Sequence, residues 1–157
     1  MDKRATYEIL SKQVESLIEG VDNTTGQLAN VAALLHTTMG WWWTGFYLVC
    51  GDKLHLGPFQ GPVACYEIAC GRGVCGTAWQ QDRTIVVPDV EQFPGHIACS
   101  SESRSEIVVP LRDSDGHVVG VLDIDSKELG TFGDVDALCL EQIARIIERH
   151  TFQKKTI

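Results

Sequence analysis

A chain of 157 residues is the length of one ordinary domain and can bury a sizeable core without staples. Its 44% apolar and 22% charged residues exclude a disordered chain, and a net charge of −8 sets its surface against phosphate backbones and anionic membranes, so neither nucleic acid nor membrane is an expected partner. No apolar run is long enough to span a bilayer, and Met1-Asp2-Lys3-Arg4 opens an amphipathic pattern rather than a signal peptide, which makes the cytoplasm the expected compartment.

Residues 2–19 place Tyr7, Leu10, Val14, Leu17 and Ile18 at helical spacing, with Gly20 as the stop. Asp22 or Asn23 caps a second helix whose inward stripe is Leu28, Val31, Ala32, Leu35 and Met39, closed by Gly40. Residues 41–49 are aromatic and β-branched and read as a strand, which Gly51-Asp52 turns into a return strand over 54–56. Gly57-Pro58-Phe59-Gln60-Gly61-Pro62 reads as a loop. A short strand follows over 64–68, then a short helix over 73–81 ending near Asp82, then a strand over 84–87 closed by Pro88-Asp89.

Residues 91–103 carry Phe93-Pro94-Gly95 and little periodicity; they read as a long loop, and long loops in compact domains are usually functional. Residues 106–111 and 117–125 are apolar strands joined by the turn Asp113-Ser114-Asp115-Gly116. Thr131-Phe132-Gly133-Asp134 resembles a capping box with Asp in place of Glu. It opens a last helix with Val135, Leu138, Ile143, Ile146 and Ile147 inward, and the tail from Phe152 is expected to fray. Strands flanked by helices imply an α+β fold: a central antiparallel sheet with the N- and C-terminal helices packed on one face. One domain is expected to fill residues 1–157, with its core over about 22–150 and the N-terminal helix over about 2–19.

The six cysteines are Cys50, Cys65, Cys70, Cys75, Cys99 and Cys139, and in a cytoplasmic domain they suggest redox chemistry or metal binding. Cys99 lies in the long loop three residues after His96, whose imidazolium would lower a thiol pKa, so it is the candidate redox nucleophile. Cys75 opens the short helix, where backbone N–H groups favour a thiolate. For Cys65 and Cys75 a functional thiol and a small buried hydrophobe are equally open readings; Cys50, Cys70 and Cys139 are read as such hydrophobes. A zinc site built from His96 and cysteines is the competing use. No Cys-x-x-Cys pair exists, however, and Cys65, Cys70 and Cys75 are spaced by five, so no metal and no other cofactor is expected. Gly71-Arg72-Gly73-Val74-Cys75-Gly76 matches G-x-G-x-x-G, but no βαβ alternation surrounds it and a dinucleotide site is rejected.

Glu106 begins an apolar strand, and Asp123 and Asp125 alternate with Ile124 on another. Val119, Val121, Asp123 and Asp125 share one face, which passes from apolar to acidic like the rim of a pocket. Carboxylates there suit a cationic ligand such as an α-ammonium; a carboxyl with a raised pKa would instead donate a proton. Trp41, Trp42, Trp43, Phe46 and Tyr47 are core material by default, with one or two available to line a small-ligand pocket.

Several stretches together resemble the free methionine-(R)-sulfoxide reductase family, which is built on a single GAF domain. They are Phe59-Gln60-Gly61-Pro62 with Ala64-Cys65, Gly73-Val74-Cys75-Gly76, Val87-Pro88-Asp89-Val90, Phe93-Pro94-Gly95-His96-Ile97-Ala98-Cys99, Ser105-Glu106-Ile107-Val108-Val109-Pro110 and Val121-Leu122-Asp123-Ile124-Asp125-Ser126. The resemblance implies a cytoplasmic enzyme that reduces the R-epimer of free methionine sulfoxide, through a cysteine sulfenic acid and an intramolecular disulfide, with thioredoxin as reductant. It implies Cys99 as nucleophile, Cys65 as the main resolving thiol and Cys75 as a second. It places Glu106, Asp123 and Asp125 around the substrate, with Trp43 and Tyr47 as the aromatic wall. A homodimer is a habit of GAF domains. The readings from other classes are a non-enzymatic GAF module that binds a small ligand and a zinc-stabilised redox sensor.

Overall fold

A computed structural model describes residues 1–96 and 102–153 of the protein. The chain runs α1 (Lys3–Ile18), α2 (Thr24–Met39), β1 (Trp43–Cys50), β2 (Lys53–Gln60), β3 (Glu67–Ala69), α3 (Gly73–Gln81), β4 (Ile85–Val87), β5 (Ser105–Arg112), β6 (Val118–Ser126) and α4 (Asp134–Ile147). The strands form one sheet in the order β3-β2-β1-β6-β5-β4, every neighbouring pair antiparallel.

Local chemistry sets the helix ends. Asp2 accepts the Ala5 N–H at 2.7 Å to start α1, and Asn23 accepts the Gly26 N–H at 2.9 Å to start α2. Gly40 ends α2 in the left-handed conformation, φ 69°, which costs a residue without a Cβ nothing. Strand alternation then divides the sheet into two faces. Phe46, Ile107, Val109, Leu111, Leu122 and Ile124 bury against α1, α2 and α4, as the expected helical layer requires. The opposite face carries a second cluster around Tyr47, Val108 and Val121, roofed by Val74, Cys75 and Ala78 of α3. The long terminal helices therefore share one face, and the short helix covers the other.

Several expectations are corrected. The loop expected over 57–62 is strand as far as Gln60. The register of β1 with β2 slips between Gly45 and Tyr47, and β3 pairs only with residues 53–55, so Pro58 sits at a bulge on a free edge where its missing N–H costs no ladder bond. Val119 packs with the helical cluster rather than with Val121 and Asp123, because β6 slips register where it passes from Leu111 to Arg112. Leu17 and Leu138 are exposed, while Cys139, Leu140 and Ala144 fill the inner face of α4. Phe152 closes a π-helical turn, Glu148–Phe152, and packs against the helical core; the remainder of the tail, residues 154–157, lies outside the described residues.

The N-cap of α4 is Gly133, not Thr131. Asp136 reaches back to accept the Gly133 N–H at 2.9 Å, and Thr131 hydrogen-bonds Ser126 at 2.6 Å. Asp136 is 1% exposed and also accepts from the Tyr7 hydroxyl at 2.6 Å and from Lys3 Nζ at 2.8 Å, tying α1 to the start of α4. Asp136→Ala would strand the buried Tyr7 hydroxyl and remove the cap. The expected loss is about 2–3 kcal/mol, with a smaller loss for Asp136→Asn, read from denaturant midpoints.

Candidate active site

The site begins with register. Trp43 on β1 pairs with Asp125 on β6, which pairs with Glu106 on β5, so these three form one row across the sheet. Gly45, Asp123 and Val108 form the next row, and Tyr47, Val121 and Pro110 the one after. All point away from the helical layer. The face is thus apolar under α3 and acidic at one end, as the alternation of β6 implies. Gly45 has no side chain for a steric reason: a Cβ there would lie 2.7 Å from Cη2 of Trp43 and press into Phe59. The room it leaves lets the Trp43 ring stack on Phe59, 5.2 Å between centroids, and on Tyr47 at 6.0 Å. The Trp43 indole N–H donates to the Pro62 carbonyl at 3.0 Å, and the Tyr47 hydroxyl donates to the Cys65 carbonyl at 3.1 Å. Two aromatic side chains of β1 therefore hold the segment that carries Cys65.

The glycines of residues 71–76 serve packing rather than phosphate. Gly73 opens α3 at φ 61°, and a Cβ on Gly76 would collide with the Ala69 carbonyl oxygen. This close approach sets Cys75 over the acidic row.

A single cavity is lined by Trp43, Tyr47, Cys75, Glu106, Asp123 and Asp125. Arg72, His96 and Ser103 complete its wall. Ser103 donates to Asp125 Oδ1 at 3.0 Å, and His96 Nε2 lies 3.9 Å from Glu106 Oε1. Cys65 is half-buried beside the cavity and is disulfide-bonded; Cys75 is a free buried thiol. Cys99 lies outside the described residues.

The electrostatics correct two expectations. Burial, then the charges of Asp123, Glu106 and Asp125, pushes the Cys75 thiol well above its ordinary range, so the start of α3 does not make it a thiolate. Burial, followed by the charge of Asp123, likewise holds Glu106 and Asp125 well above the carboxylate range. Asp123 is raised by burial, while contacts with Glu106, Cys75 and Asp125 pull it back. Asp123 Oδ1 is buried with no hydrogen-bond partner among the described residues. Its acidic neighbours can meet that oxygen as donors only by keeping a proton. Burial lowers the pKa of His96 against the pull of Asp123, so it stands as neutral imidazole rather than the expected imidazolium. Cys50 and Cys70 are exposed, not buried hydrophobes; Cys139 is buried in the helical core.

Sequence reasoning missed Arg72, His96 and Ser103 as pocket residues. His96 reads from the sequence as a neighbour of Cys99 or a candidate zinc ligand, and Arg72 falls inside a glycine pattern. Ser103 carries no signal in the sequence, since its role depends on Asp125 being brought beside it.

The fold and the site define the class: the GAF domain model matches residues 23–150. GAF domain-containing protein A of Dictyostelium discoideum is 52% identical over 147 residues, covering 93% of this chain and 92% of that protein. The free methionine-R-sulfoxide reductase of Escherichia coli is 43% identical over 152 residues, covering 95% and 90%. The X-ray structure of free methionine-R-sulfoxide reductase from Neisseria meningitidis, in complex with its substrate, superposes with a TM-score of 0.94 at 52% identity, covering 96% of this chain and 91% of that one. The chain belongs to the GAF-domain family of free methionine-R-sulfoxide reductases.

The raised carboxyls make stability depend on pH. Folded Glu106, Asp123 and Asp125 keep protons that the unfolded chain releases, so stability falls as pH rises from the unfolded value of about 4 through the higher folded values. Glu106→Gln and Asp123→Asn should therefore melt like the wild type near pH 4, and above it by a margin that grows toward neutrality. A thermal-melt series across that range checks this.

Proposed function

We propose that this chain is a cytoplasmic enzyme that reduces free L-methionine (R)-S-oxide to L-methionine. Cys99 is its nucleophile and Cys65 its main resolving thiol. The observation that carries this reading is the placement of three carboxyls, buried Glu106 and Asp123 and partly buried Asp125, in one cavity with Trp43 and Tyr47, beside Cys65 and Cys75.

The Cys99 thiolate attacks the sulfoxide sulfur. The S–O bond breaks only if the oxygen is protonated, and a neutral carboxyl supplies that proton; Glu106, kept protonated by burial and by Asp123, is the donor. The protonated oxygen passes from the substrate sulfur to Cys99 Sγ as the transient bond between the two sulfurs breaks, so methionine leaves and Cys99 becomes a sulfenic acid. The Cys65 thiol condenses with it, forming a disulfide and releasing water. A dithiol protein, thioredoxin, reopens the disulfide by exchange. The disulfide-bonded state of Cys65, against the free and buried state of Cys75, supports Cys65 as the principal resolving residue.

The substrate seats its S-methyl group against Trp43 and its ammonium against the ionised carboxylates, with Arg72 available to its α-carboxylate. A methionine inside a peptide lacks both charges, so the free amino acid is selected.

Cys99→Ser should lose even the first turnover in excess dithiothreitol, whereas Cys65→Ser should keep one stoichiometric turnover and lose cycling with thioredoxin. Glu106→Gln should lower kcat by roughly 10²–10⁴. The deciding assay compares R and S epimers, free and peptide-bound: turnover of free R alone is expected. A protein that binds the sulfoxide without reducing it would be a ligand-binding module instead.

A further inference from the structure

Cys75, Glu106 and Asp123 each bring a ligand atom to within 4.8 Å of the other two, and all three side chains are buried. They come from three different elements, α3, β5 and β6, so sheet register and the seating of α3 bring them together. Three acids this close cannot all ionise out of water unless a cation joins them. Among the described residues, Asp123 Oδ1 is buried without a hydrogen-bond partner. His96 Nε2 stands 3.9 Å from Glu106 Oε1 on the same cavity wall, and its side chain is 18% exposed.

We propose that this cluster is a zinc site, with Cys75 Sγ and one oxygen each of Glu106 and Asp123 as its three protein ligands and a fourth position open to water. One sulfur and two carboxylate oxygens form a donor set that Zn²⁺ accepts in tetrahedral geometry at about 2.0–2.3 Å. Ligand atoms on such a tetrahedron stand roughly 3.5 Å apart, and these three, all within 4.8 Å of one another, stand near that spacing. A thiolate at the centre disfavours Ca²⁺ and Mg²⁺, which want all-oxygen shells with more ligands.

The ion takes the place of the protons that the cluster otherwise holds. Binding releases them, from Cys75 above all, and tightens as pH rises. Asp125 and Tyr47 also face the cavity; Asp125 adds to the negative field, while Arg72 opposes it. Cys75 is free while Cys65 is disulfide-bonded, so the site does not require that disulfide to open. Zinc seated here covers the carboxyls that reduction would use; that consequence rests on the function proposed above, whereas metal binding itself does not.

The test uses the full chain, reduced, with no sulfoxide present. It is titrated with Co²⁺ and then with Zn²⁺ in competition with a chromophoric chelator. One ion per chain is expected, with a thiolate-to-cobalt charge-transfer band in the near ultraviolet and proton release. Cys75→Ser should abolish the band and weaken Zn²⁺ by ~100-fold or more; Glu106→Gln and Asp123→Asn should each weaken it at least ~10-fold. The exposed Cys50→Ser and Cys70→Ser should leave both unchanged. Circular dichroism verifies that each variant is folded. Failure of the folded wild type to take up stoichiometric Zn²⁺, or an unchanged cobalt band in folded Cys75→Ser, overturns the site.

Discussion

Glu106 and Asp125 stand opposite each other across β5 and β6, with Asp123 one row along; Glu106 and Asp123 are buried and Asp125 is partly so. Like charges so placed repel, and burial removes the solvent that would screen them. The fold must therefore supply protons, a cation or both. The pocket's chemistry follows from this. A carboxyl that cannot ionise freely is a proton donor at neutral pH, and a neighbour that does ionise is a seat for positive charge. The neutral state of His96 and the raised thiol of Cys75 arise from the same desolvated surroundings.

Holding such a cluster requires a rigid frame, and the other face of the sheet provides it. The three long helices bury a continuous hydrocarbon layer against Phe46, Leu122, Ile124 and Ile107. At about 25 cal/mol per Å² of apolar surface, this layer is the term able to offset unfavourable burial of charge on the opposite side. The network of Asp136, Tyr7, Lys3 and Gly133 locks α1 to α4 far from the cavity. One face stabilises the domain while the other carries its strained electrostatics, and strand alternation keeps the two apart.

Local patterns carried most of the architecture. The helical stripes of α1 and α2, the Asn23 and Gly40 caps, the span of α3 and the turn before β6 were all legible, because each depends on neighbours in sequence. The misreadings occur where tertiary context overrides the pattern. Pro58 looked like a breaker, but a bulge on an edge accommodates it. Val119 fell on the acidic face by counting in twos, but a slip in register turns it to the helices. The pocket was half visible: alternation put Asp123 and Asp125 together, while the convergence of Glu106, Trp43 and Cys75 on them came from resemblance alone. The state of Cys75 was not legible at all, since its helix position argued for a thiolate and only the carboxyls beneath it decide otherwise.

Both outer strands of the sheet, β3 and β4, have three residues each, and Pro58 removes a donor from the stretch of β2 that β3 leaves uncovered. An approaching polypeptide finds too few free backbone groups in line to zip onto either margin. Open sheets of this width invite end-to-end growth into fibrils; here that route is closed by brevity at the borders, with Glu67 adding a charge on the β3 side. The sheet is thereby kept from templating aggregation.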